Sequence, residues 1–321
     1  SEMCIRDRVY HLAPDPPPKK AQPGNSNRFG LYLGTSSGIL AEHGHGASLR
    51  RGQKVALPIE DAAQNILVLG GIGSGKTTRV IQPLLLQLLD QDSGGLIFDI
   101  KGDFKHAVEI LAREVGRSVT VIGPERTRMN LIAGLTPEVA SSFLKSSLLM
   151  KNSGPKDPFW TDTAGELCKN ALGVLSFFPK RYSLAELHSY MFEPGIRDGI
   201  NEEAEEKLSS LPERERRLLK SYLGYYQTIF APFDDKLKSN VTASVAQILA
   251  PFNHPDLVDA FCTDERDAPS MEHVLDGTVY LVDMPLARWG LGGKIAYNFI
   301  KLRFFNVMQR RNVELSWNKD R

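Results

Sequence analysis

At 321 residues, 42% of them hydrophobic, the chain has material for roughly two domains and a sizeable core. A formal net charge of +1 gives no global basic field that would advertise nucleic acid, although a ring-shaped assembly can confine its basic groups to a central pore. Three cysteines, Cys4, Cys168 and Cys262, are too widely spaced for a zinc site or a disulfide framework and suit a reducing compartment, and the longest strongly apolar stretch, Leu84 to Leu89, is far too short to span a bilayer.

Met3 to Arg8 resembles a translated sequencing-library adapter, so residues 1–8 are set aside from fold reasoning and the natural N-terminus is expected to be missing. Residues 9–28 read as an extended linker, because the proline-rich run from Ala13 to Arg28 cannot bury a core. Short strands are expected between Gly30 and Pro58. His43 and His45 have no third ligand at a sensible spacing and read as a loop, and Arg50, Arg51 and Lys54 read as solvated surface.

The apolar run Ile66-Leu67-Val68-Leu69 predicts the first central strand. Gly70-Gly71-Ile72-Gly73-Ser74-Gly75-Lys76-Thr77 follows it at once, a full match to the G-x-x-x-x-G-K-[ST] phosphate-binding loop. Its glycines free backbone N–H groups to wrap phosphates, and Lys76 reaches the outer ones. Thr77 is placed to ligate Mg²⁺, and a helix beginning near Gly75 turns the positive end of its dipole to the anion. The expected ligands are therefore ATP and Mg²⁺, held by Gly70 through Thr78. Val80, Ile81, Leu84, Leu85 and Leu88 give the following helix its apolar face, with Pro83 as a kink.

Gly95-Leu96-Ile97-Phe98-Asp99 predicts the next buried strand, Phe104 to Val115 an amphipathic helix, and Ser118 to Ile122 a third strand. Strands alternating with helices predict a parallel sheet. After Leu135 the strand signal stops for about a hundred residues. Thr136-Pro137-Glu138 opens a helical stretch with segments over 161–175, 183–191, 202–226 and 240–249, and the charge run from Glu202 to Arg217 reads as a solvated helix face. Strand character returns at Thr278 to Asp283 and leads into a helix from Gly293 to Arg311. Ile295, Phe299, Leu302 and Val307 form that helix's buried stripe, which leaves Arg303, Arg310 and Arg311 for solvent.

The expected fold is α/β: a RecA-like P-loop NTPase with a mainly parallel sheet and an inserted all-α domain. The nucleotide-binding part covers 29–135 and 240–321, and the helical insertion covers 136–239. Asp99 ends an apolar strand, where open α/β sheets bind ligands, and reads as the Mg²⁺-associated acid or as a carboxylate that caps a turn.

The loop Gly70 to Thr78, the stretch Ile97-Phe98-Asp99-Ile100-Lys101-Gly102-Asp103 and Asp157-Pro158-Phe159-Trp160 ahead of a helix resemble the type IV secretion coupling proteins of the TraD/TraG kind. These are relatives of the FtsK and HerA motors. The resemblance, over about residues 29–321, implies an ATP-driven DNA translocase working on a single-stranded transfer intermediate. It also implies a third reading of Asp99, as part of an Asp-x-Lys-Gly motif beside the phosphates in which Lys101 adds positive charge. It implies a homo-hexameric ring, relaxase and secretion-channel partners, and attachment to the bacterial inner membrane through a missing N-terminal anchor, with this part in the cytoplasm. Chromosome-partitioning or packaging motors and a nucleotide-gated docking module without hydrolysis are the alternatives. The family's apolar strand ending Asp-Glu is not found: Asp99 precedes Ile100, Asp283 precedes Met284, and Asp264-Glu265 has no strand before it. The resemblance places that motif just after Arg321. The chain is expected to bind nucleotide and hydrolyse it poorly. Phe159 and Trp160 read as core packing.

Overall fold

The computed structural model describes residues 30–36, 52–91, 93–151, 158–263 and 268–317. His43, His45, Arg50, Arg51, Asp157, Asp264 and Glu265 lie outside them, as do the adapter-like and proline-rich segments. The chain divides into two compact units, residues 1–93 with 107–117 and residues 94–106 with 118–321.

In the first unit β1 (Gly30–Thr35) pairs antiparallel with β2 (Lys54–Pro58), with an irregularity between Tyr32 and Gly34. The short helix α1 (Ile59–Ala62) follows. A wide π-helical turn, Thr77–Ile81, leads into α2 (Gln82–Asp90). Pro83 therefore lies directly after a π-helical turn, inside a run that is helical from Lys76 to Asp90, and that widened turn accommodates its missing N–H. Gln87 ties α2 to β1: its Oε1 accepts from the Tyr32 N–H at 2.7 Å and its Nε2 donates to the Tyr32 carbonyl at 3.1 Å. Arg117 donates to the carbonyls of Leu89 and Ser93, which satisfies a helix end that would otherwise carry orphan acceptors.

Residues 66–69 form no strand here, contrary to the sequence expectation. Leu67 is 82% exposed and Leu69 80%. Apolar character favours burial, but a strand exists only where a neighbour supplies its ladder, and among the described residues none does.

In the second unit β3 (Gly95–Asp99), β4 (Thr120–Ile122) and β5 (Val279–Asp283) form a parallel sheet in the order β3-β5-β4. Gly95 pairs with Val279 and Asp99 with Asp283, so both strands end level in an aspartate. The central strand β5 is buried along Val279 to Val282, as a fully covered parallel strand must be. The parallel sheet expected from the alternation is thus present. The helix α3 (Lys105–Glu114) connects β3 to β4.

Between β4 and β5 every regular element is helical among the described residues: α4 (Pro137–Lys151), α5 (Pro158–Leu175), α6 (Leu184–Phe192), α7 (Pro194–Lys207), α8 (Glu213–Tyr225), α9 (Asp235–Leu249) and α10 (Pro255–Phe261), with short 3-10 and π turns. The Thr136 hydroxyl accepts from the Val139 N–H at the start of α4, as its sequence predicts. The single helix expected over 202–226 is two. Pro212 has no N–H to continue α7 but suits the entry of α8, and Arg216 satisfies the intervening carbonyls of Leu208 and Leu211 at 2.8 and 2.9 Å. Glu202, Glu203, Glu205 and Glu206 are exposed, the solvated face expected.

The last helix, α11 (Leu286–Trp317), is interrupted at Gly290. Its stripe of Ile295, Phe299 and Val307 enters the core, with Phe143 edge-on to Phe299 at 5.7 Å. Arg303, expected in solvent, is half-buried instead and donates to the carbonyls of Asn130, Leu131 and Ala133. Burial pulls its pKa down from the ordinary guanidinium value, with Glu272 opposing. Trp160 packs against the core as expected, but Phe159 is 47% exposed.

Gly173 on α5 meets the Tyr222 ring of α8 so closely that an added Cβ would lie 2.4 Å from the ring. Gly173→Ala is expected to lower stability by about 1–3 kcal/mol through overpacking, read as a lower urea midpoint at unchanged slope.

Candidate nucleotide-binding site

The phosphate-loop motif forms a tight glycine-dependent turn in the first unit. Gly73 and Gly75 have φ of 76° and 81°, a region that side-chain-bearing residues rarely enter. A Cβ on Gly70 would sit 2.6 Å from Ser74 Oγ, and one on Gly75 would strike Arg79. These glycines are fixed by backbone geometry and by space. The first helical bond after the loop runs from the Arg79 N–H to the Gly75 carbonyl at 2.8 Å, so the N–H groups of Lys76, Thr77 and Thr78 precede the ladder and point out of the helix start. Lys76 Nζ turns back over the loop and donates to the carbonyls of Gly70 and Gly71 at 2.8 and 2.7 Å. Ile72 is fully exposed at the tip. N–H groups at a helix start, an ammonium curled over them and a hydroxyl at Thr77 make a donor set that fits a polyphosphate with its Mg²⁺.

The second unit contributes a separate arrangement at the carboxyl end of its sheet. Asp99 is 2% exposed. Its Oδ1 accepts from the Gly102 N–H at 2.8 Å, and its Oδ2 accepts from the N–H groups of Phe104 and Lys105 at 2.9 and 2.8 Å. The carboxylate thus holds the turn from β3 into α3, of which Lys101 and Asp103 are exposed members. Gly102, at φ 83°, lies so close to Pro285 that a Cβ would fall 2.6 Å from its ring. Among the described residues no group of three or more His, Cys, Asp or Glu is placed to hold a metal ion.

Sequence reading named Lys101 and Asp283 but did not connect Asp99 with Tyr297, Lys105 or Arg126. The Tyr297 hydroxyl donates to the Asp99 carbonyl at 2.8 Å, and its ring packs edge-on to Phe98. Burial raises its pKa above the ordinary phenol value, so it stays a neutral donor. Asp283 lies 3.7 Å from Lys105 Nζ and 3.7 Å from Arg126 Nε. Arg126 follows Glu125, whose φ of 61° is unusual for a residue with a side chain. Asp283 was findable as a second strand-end aspartate, whereas nothing local marks Tyr297 or Arg126.

Asp99→Asn keeps one acceptor oxygen and replaces the other with a donor. It is expected to cost about 1–3 kcal/mol by leaving buried N–H groups unpaired, with faster hydrogen exchange at the Phe104 and Lys105 amides as the local signature.

Residues 51–188 match the family model described as the type IV secretion-system coupling protein DNA-binding domain. No curated protein matches the chain. Among solved structures, the chain is similar to the unbound monoclinic form of the bacterial conjugative coupling protein TrwBdeltaN70, with a TM-score of 0.47 and 16% identity over 75% of this chain and 51% of that one. The chain thus spans about half the length of that structure. Over residues 51–188, this chain is therefore similar to the type IV secretion coupling proteins, the family to which its phosphate loop and its Asp-Ile-Lys-Gly-Asp turn pointed.

Proposed function

We propose that this chain is the nucleotide-binding part of a DNA-transferring coupling protein of type IV secretion, in which ATP binding and hydrolysis drive DNA towards the secretion channel. The observation that carries the reading is the loop from Gly70 to Thr78. Its positive-φ glycines, its helix-start N–H groups and its curled Lys76 form a polyphosphate cradle inside the stretch that the coupling-protein family model matches. Lys76 and the N–H groups hold the phosphates, and Thr77 supplies the hydroxyl for Mg²⁺, which on binding draws charge from the outer phosphates. In this reading Asp99 acts first as the anchor of the turn that presents Lys101, since its oxygens already accept three N–H bonds.

The further partners follow from the same reading. They are single-stranded DNA, a relaxase with its channel proteins, neighbouring copies in a homo-hexameric ring, and an inner-membrane anchor preceding the linker. Among the described residues no helix is long and apolar enough to cross a membrane, so that anchor belongs to the proposal alone. No Asp-Glu pair follows an apolar strand of this sequence, so nucleotide binding is expected to outlast turnover in this chain.

Equilibrium binding of ATP with Mg²⁺ tests the proposal. The chain is expected to bind, Lys76→Ala to lose at least ten-fold in affinity through the missing charge-assisted contact, and hydrolysis to remain slow with or without DNA. Equal binding by parent and Lys76→Ala would remove the loop from the site and the reading with it.

A further inference from the structure

We propose that Arg288 and Trp289 form a platform on which an unpaired base of single-stranded DNA stacks, an inference that rests on the DNA-transfer reading above and names a contact for it. After β5 the chain makes one helical turn, Leu286 to Trp289, and then breaks at Gly290, whose φ of 47° and ψ of −121° suit glycine and few other residues. The break separates this turn from the rest of α11. Gly292, two residues on, is pinned against α10, where a Cβ would lie 2.7 Å from Leu257.

The Trp289 ring packs against the core, which fixes it in place. The Arg288 guanidinium lies 4.6 Å from the ring centroid, and the His254 ring meets the indole edge-on at 5.8 Å. Arg288 is 60% exposed, and the carboxylate given as its ion-pair partner, Asp256, is 4.0 Å away and itself 43% exposed. A pair that loose and wet is worth little, and so is a cation–π contact at an exposed site, so the guanidinium leaves the ring at small cost. A base then takes the indole face, and Arg288 turns to the adjoining phosphate. Lys294, also exposed, adds positive charge on the same helix.

This chemistry selects unpaired nucleic acid. A base in a duplex already stacks on its neighbours and cannot offer a free face, whereas in a single strand every base has one, so recognition is tolerant of sequence. An anchored aromatic ring beside a mobile cation is the pairing such a strand requires.

The test uses the full chain with Trp160→Phe and Trp317→Phe, which leaves Trp289 as the single tryptophan reporter. Saturation with oligothymidylate is expected to quench Trp289 emission, and a duplex of the same length is expected to leave it unchanged. Anisotropy of labelled oligothymidylate measures affinity in parallel. Arg288→Ala and Trp289→Ala are each expected to weaken it by about ten-fold, with ATP binding unaltered as a check on folding. Oligothymidylate that binds without changing Trp289 emission, or a duplex that quenches it equally, would overturn the platform while leaving DNA binding intact. Absence of any binding of labelled DNA would overturn the DNA reading itself and the platform with it.

Discussion

The carboxyl end of the parallel sheet is organised by one buried carboxylate. Placing Asp99 at 2% exposure costs heavily unless its oxygens are hydrogen-bonded, and the chain meets that condition by folding its next six residues around them. The N–H groups of Gly102, Phe104 and Lys105 converge on the side chain, and this fixes where the chain leaves β3 and how α3 begins. The Tyr297 hydroxyl occupies the carbonyl of the same residue, so α11 is registered against the strand end as well. Gly102 is required because the turn passes too close to Pro285 for a side chain. The exposed Lys101 and Asp103 then stand on a turn that three bonds to Asp99 hold in place.

The helical stretch is held to the sheet by shared apolar packing and by a few polar pins. Buried side chains from Ile122 through Val307 form one continuous cluster that includes Leu144 on α4, Leu172 on α5, Val245 on α9, Tyr280 on β5 and Phe299 on α11. Apolar burial sets how strongly these elements associate, but it is non-directional. Direction comes from the polar contacts. Arg303 reaches three carbonyls over residues 130–133, Asn298 donates to the Ser147 hydroxyl at 3.0 Å, and Asn130 donates to the Tyr182 carbonyl at 2.9 Å. Each would be costly in any other register, because a buried donor without its acceptor forfeits more than a formed bond contributes.

What the sequence made legible was local. The phosphate loop is read from eight consecutive residues because its glycines answer to their own φ angles, and β3 and β5 are read from short apolar runs because a covered parallel strand needs every side chain apolar. Apart from one local signal at Pro212, the errors were questions about a partner. Residues 66–69 have the composition of a strand, yet strandness belongs to a pair. Arg303 falls off the helix's apolar stripe, yet three carbonyls about 170 residues earlier hold it half-buried. Pro212 carried the signal for a break between α7 and α8, and the charge periodicity on either side outweighed it. Tyr297 shows nothing in its neighbours that would tell it from an ordinary core aromatic.

The phosphate loop and the sheet end represent opposite uses of glycine. At the sheet end glycine permits contact and the result is rigid. In the loop Gly71 and Gly73 face open space, Ile72 stands wholly in solvent, and the bonds from Lys76 close the turn on itself. That closure has a direct consequence for binding. Two of the three N–H donors of Lys76 are held by neutral carbonyls, and under the proposed function they pass to a phosphate because an ammonium is attracted more strongly by a full negative charge than by a carbonyl dipole. Under the proposed function the loop's selectivity lies in that exchange: an anion that replaces both carbonyls and also meets the N–H groups of Lys76 to Thr78 gains, and an uncharged ligand of the same size leaves Lys76 where it is.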